Sequence, residues 1–324
     1  MLLLGAVPAA AYDYPVHFYS TAYVARTLNL APQSQEWQLL ALCTHLPDES
    51  VELAALNNRR GLRLRDHLGW GLFSRRASAS TRRMITNHQL LHALTGGEAT
   101  ATTDAAVRIA RRLWQEAAAA AGPPRGGIRP RTASLCALGF GLHLLGDSFA
   151  HRKLSDRARD RMYRTGLGHF ADATLPDAVL RRHTDPPEYN LHYWRDYALA
   201  LTEVVNGAGP VDPQVAALFD ELRGISENEG RRANRVAQQR ILAHFAGPAL
   251  PNAWRPESHR KEPCEAYLRK LYDAPPGPPF TCQDVWRRFR VVAEDVYLQA
   301  PPGLREYADV GRPGLEFVDP EFGT

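Results

Sequence analysis

The stretch RTASLCALGFGLHLLGDSFAHR (131–152) constrains the fold more than any other part of the chain. It is apolar on nearly every face, so a helix formed here must be surrounded by other elements rather than laid on a surface. Into it are set His143, Asp147 and His151, at steps of four. A helix advances about 100° per residue, which places the three side chains along one stripe. Polar groups beside Leu142, Leu145, Phe149 and Ala150 need partners. A metal ion is one partner that takes imidazole and carboxylate together.

The rest of the chain supplies the surrounding elements. Apolar residues recur at three- and four-residue steps in 18–30, 34–46, 187–207, 226–247 and 281–300, and 102–122 is strongly helical. Ser34 reads as an N-cap; Thr102 or Thr103 reads as another, with Gly122 as the stop. There is no convincing β alternation and no repeat of solenoid length, so the predicted fold class is all-α, a multi-helix bundle around a buried central helix. The chain has 324 residues, room for a sizeable core. The main all-α domain is expected over 12–250. A C-terminal helical extension follows over 251–324, carrying the Pro-rich loop DAPPGPPF (273–280) and an irregular tail.

Composition narrows the class. An apolar share of 44% with 23% charged residues fits a globular chain rather than a disordered one. No stretch approaches the roughly 20 apolar residues that span a bilayer. The net charge of +4 permits an anionic substrate. None of Cys43, Cys136, Cys264 and Cys282 forms a CxxC pair, which argues against thiolate zinc. Cys43 and Cys136 read as buried thiols, whereas Cys264 and Cys282 can pair if the protein is exported. MLLLGAVPAAAYDYP, at the start, reads as a clipped signal or as the first turn of the chain. The first reading makes the protein secreted or periplasmic, the second cytoplasmic.

Further imidazoles and carboxylates lie in four other segments. His17 opens the first helix, where capping or packing is the commoner role. His45 and Asp48 are one turn apart in THLPDES, and Asp48 reads equally as a ligand or as the N-cap of a following helix. His88 and His92 share one helical face, at i and i+4, a spacing that can hold one metal with one of the pair behind it. His169 and Asp172 are again one turn apart, with Asp177 close behind. The alternative is a buried polar network without metal. Together these groups suffice for more than one ion.

VHFYSTAYVA, LPDES, NHQLLHALTGG, LHLLGDSFAH and GHFADATLPD occur in the order found in the zinc-dependent phospholipase C and single-strand-specific nuclease superfamily, and residues 12–200 resemble it, most closely its uncharacterised bacterial members. The resemblance implies an all-α hydrolase with two or three zinc ions at the base of a cleft. It implies that Asp48, His92, His143 and Asp147 hold one ion. Asp147 would bridge to a second, shared with His17 and the amine of a chain beginning at Tyr12. His151, His169 and a carboxylate would hold the third. The family carboxylate falls on Ala173, so Asp172 is the expected substitute and Asp177 the next. The segment between Asp48 and His92 is longer than in the family, and His67 within it competes for the role of His92.

The chemistry that follows is hydrolysis of a phosphodiester, with Asp48 orienting or deprotonating the attacking water. The segment 57–83 carries eight arginines and one acidic residue, with Trp70, Leu72 and Phe73 among them. Arginine forks match phosphate. The aromatics suit a phospholipid surface, with peripheral membrane contact, or stacked single-stranded nucleic acid. A phospholipase C-like activity on phospholipid head groups is the leading expectation. The alternatives are a nuclease-like phosphodiesterase and a binding or effector protein with a structural metal cluster.

Overall fold

A computed structural model describes residues 14–31, 34–54, 79–120, 131–152, 161–163, 188–207, 262–272 and 278–300, together with 213, 215–218, 220, 221, 236, 240, 319, 320 and 322. The fold is all-α: only isolated bridges, and no strands, occur among the described residues. The helices are α1 (Tyr14–Thr27), α2 (Gln35–Glu49), α3 (Ala79–Leu90), α4 (Ala99–Ala119), α5 (Arg131–Ala150), α6 (Glu188–Asn206), α7 (Cys264–Leu271) and α8 (Cys282–Leu298). The helix expected over 226–247 lies outside the described residues apart from Val236 and Arg240.

Local chemistry accounts for the helix ends. The Ser34 side chain accepts from the Trp37 amide at 3.2 Å and so starts α2. Thr281 and Asp284 form a reciprocal capping box at the head of α8. Helix α4 departs from expectation: it begins at Ala99 after Glu98, so Thr102 and Thr103 lie inside it rather than capping it. Their hydroxyls serve tertiary contacts. Thr102 meets Thr95 at 3.0 Å, and Thr103 bonds the Ser148 carbonyl near the end of α5 at 3.4 Å.

Helix α5 is the axis of the bundle, touched by α1, α2, α4, α6 and α8. By length and mean hydropathy its window Thr132–Ala150 is apolar enough to cross a membrane, a test that a buried core helix also passes, and 94% of it is buried inside the protein. Two glycines let neighbours approach it. A Cβ on Gly139 would stand 2.7 Å from the Cys43 backbone of α2, and one on Gly141 would stand 2.8 Å from Leu113 of α4. On another side, Phe140 meets Phe289 of α8 edge to face.

Cys43 and Cys136 are not thiols but a disulfide that joins α2 to α5. The partners sit 93 residues apart, so neither helical pattern reveals them. Cys264 and Cys282 form a second disulfide, joining α7 to α8.

Candidate metal centre

Three helices end at one place. Asp48 stands in the last turn of α2, His92 two residues past the end of α3, and Asp147 in the last turn of α5, with His143 one turn earlier. His17, in the first turn of α1, completes the group.

The His143 ring is set by α2. Its Nδ1 lies 2.9 Å from the Thr44 carbonyl. A carbonyl only accepts, so Nδ1 carries the hydrogen and Nε2 is turned to the cluster. His92 is set in the opposite sense: Nε2 donates to the Leu53 carbonyl at 3.3 Å, and Nδ1 faces inward. The inward nitrogens are 3.4 Å apart. Asp147 Oδ2 lies 3.1 Å from His92 Nδ1 and 3.2 Å from His143 Nε2. Asp48 Oδ1 lies 3.8 Å from each nitrogen. Four donors at about 2.0–2.1 Å around a tetrahedral zinc are about 3.3–3.4 Å apart. Asp147, His92 and His143 therefore stand at coordination spacing, with Asp48 further out.

Asp147 also serves a second group. Its Oδ1 is fully buried and accepts no hydrogen bond; the His17 Nε2 lies 3.7 Å away. The His17 ring stacks on His143 at 4.4 Å and 17°. His17, His143 and Asp147 offer donor atoms within 4.8 Å of one another, as do Asp48, His92 and His143. A buried carboxylate oxygen without a donor is costly unless a cation faces it, and this donor set fits one.

Charge follows from the same geometry. Burial pulls the His143 imidazole down, but the Asp147 and Asp48 carboxylates outweigh it and carry it up to about 9. Burial would lift the Asp147 carboxyl, yet His143 and His151 hold it well below the usual carboxylate range. His17 is lowered by burial and by His143, and stays neutral. With no ion bound, a protonated His143 would stand as the cation beside the Asp147 and Asp48 carboxylates.

Not every expected residue joins. Asp48 is no N-cap: α2 runs through Pro47 to Glu49, and the Ser50 hydroxyl accepts the Leu53 amide instead. His88 and His92 do not share a helical face. The chain leaves α3 at Leu90, the Leu94 amide bonds back to the His88 carbonyl at 2.8 Å, and Ala93 sits at φ 49°. Only His92 reaches the cluster; His88 enters neither donor group. His151 is buried beside it, 3.7 Å from Asp147, with Nδ1 on the His92 carbonyl at 2.6 Å. Its expected partners His169 and Asp172, with Asp177 and His67, lie outside the described residues, as does the arginine-rich segment up to residue 78. His45 meets His17 edge-on at 5.8 Å, and burial, with His143 next, lowers it to about 3.

The sequence did not point to the carbonyls of Thr44 and Leu53, because backbone acceptors leave no residue signature. Of the four donors, Asp48 has the solvent-facing side chain, 18% exposed against 2% or less for the other three. Compared with known proteins, the chain matches no family model, no curated protein and no solved structure.

Proposed function

We propose that the protein is a metal-dependent hydrolase of phosphodiesters, with zinc held by Asp48, His92, His143 and Asp147 and a second ion shared by Asp147 and His17. The observation that carries the metal reading is the cluster itself: two imidazoles, each tied through one nitrogen to a carbonyl, turn the other towards Asp147 at coordination spacing and towards Asp48 a little further out. The phosphodiester reading rests on the likeness of residues 12–200 to the zinc-dependent phospholipase C and nuclease superfamily. Such ions supply Lewis acidity, offsetting charge on phosphoryl oxygens and acidifying water. The chain's own residues do the rest. Asp48, on the solvent side, accepts a proton from the attacking water. The Thr44 and Leu53 carbonyls hold both imidazoles in one tautomer.

The experiment is metal analysis of the purified protein, then a panel of phosphatidylcholine vesicles, single-stranded DNA and a small aryl phosphodiester. Bound zinc and chelator-sensitive hydrolysis of one member are expected. A protein with less than one zinc per chain and chelator-resistant activity overturns the reading. Four protein donors on the first ion, as proposed, would close a tetrahedral site in the manner of structural zinc sites, which favours a second reading. In that reading Asp48→Asn leaves function intact while Asp147→Ala unfolds the protein. In the enzymatic one Asp48→Asn abolishes hydrolysis.

A further inference from the structure

The six residues after Pro47 are bonded on both sides. Asp48 offers a donor atom. The Glu49 carbonyl accepts from Tyr267 of α7 at 3.4 Å, and the Val51 amide donates to the Glu262 carbonyl at 3.0 Å. The Glu52 carboxylate accepts from the Cys264 amide at 3.0 Å, the first amide of α7. The Glu52 carbonyl accepts from the Asn87 side chain of α3 at 2.7 Å. The next carbonyl, Leu53, holds His92.

Glu52 therefore sits between Asp48, which faces the cluster, and Leu53, whose carbonyl holds His92, and ties their loop to a fixed frame. That frame is firm. Pro263 precedes α7 and makes no side-chain cap, so the Glu52 carboxylate satisfies the first amide of α7 from elsewhere in the chain. Charge favours it there, at the positive end of the helix. Cys264 is buried and cross-linked to Cys282, and the Cys282 amide in turn donates to Glu265 at 2.6 Å.

We infer that Glu52 is a positioning residue of the metal centre: by anchoring its loop on α7 it fixes the Leu53 carbonyl, and through it the angle of the His92 ring. This rests on the metal reading above. Residues that orient ligating histidines commonly change metal affinity by about 10–100-fold.

The test is cobalt(II) titration of the full chain, read by the visible d–d spectrum and by chelator competition. Wild type is expected to bind with a four-coordinate spectrum. Glu52→Ala should bind about 10–100-fold more weakly, with a shifted spectrum. Glu52→Gln, whose amide oxygen still accepts from Cys264, should restore both. Wild-type affinity and spectrum in Glu52→Ala overturn the inference while leaving the metal reading intact, and so does a Glu52→Gln protein as impaired as Glu52→Ala. A wild-type protein that takes up no cobalt overturns the metal reading and this inference with it. If Glu52→Ala does not fold, Glu52→Asp is used. One methylene shorter, it should show the same spectral shift, and its absence overturns the inference.

Discussion

Gly139 of α5 lies so close to Cys43 of α2 that a Cβ on it would stand 2.7 Å from the Cys43 carbonyl carbon and 2.8 Å from the Thr44 nitrogen. The Thr44 carbonyl holds His143, one turn further along α5. Gly139→Ala is thus expected to push the helices apart and loosen that hydrogen bond. Overpacking of this kind costs about 1–3 kcal/mol, read by denaturant unfolding, and metal affinity should fall about 10–100-fold. An alanine variant with unchanged affinity would separate helix spacing from ligand geometry.

Metal uptake should release protons. In the metal-free protein His143 sits near 9, raised above the ordinary 6.5. The stabilisation from its charged form is full below 6.5 and is lost as pH rises through about 9. A metal must displace that proton, so apparent affinity climbs with pH up to the same point. Calorimetry in buffers of different ionisation heat, at neutral pH, measures the release. A heat that does not vary with buffer would refute it.

Acid should destabilise the metal-free protein before its carboxylates titrate. His45, half-buried, is lowered to about 3, whereas in the unfolded chain it takes a proton near 6.5. Between those values the unfolded state binds the extra proton, so stability declines as pH falls from 6.5 towards 3. His17 acts in the same direction. His45→Phe should flatten this slope in urea midpoints collected across the range. An unaltered slope would assign the effect elsewhere.

The two disulfides should differ in worth. Cys43–Cys136 spans 93 residues and Cys264–Cys282 spans 18. Loop-closure entropy gives about 4–5 kcal/mol for the first and about 3 kcal/mol for the second. Paired serine substitutions, compared by denaturant unfolding, check the order. Both bridges are buried, so alkylation after mild reductant should label the cysteines only once the chain is unfolded.

Much of this was written locally. The apolar sweep of 131–152 identified the central helix because no surface helix can be apolar all round. The four-residue step from His143 to Asp147 survived folding because both lie inside one helix. The same step misled at His88 and His92, where α3 ends between them and Ala93 turns to positive φ. Thr102 and Thr103 resembled caps because a threonine cap and a threonine bonding to another helix look alike in sequence. The Cys43–Cys136 bridge and the Leu53 carbonyl beneath His92 depend on neighbours distant in the chain, and no residue pattern announces either.

The convergence of α2, α3 and α5 at the cluster sets an order of events. Each helix brings its carbonyl-bearing terminus, with its share of negative potential, to a point already lined by Asp48 and Asp147. A dianion arriving before any cation meets these carboxylates and helix ends, countered by the His143 proton and by the head of α1 beside His17. If the cluster takes a metal as proposed, the cation must enter first, and an anion is then attracted where it had been repelled.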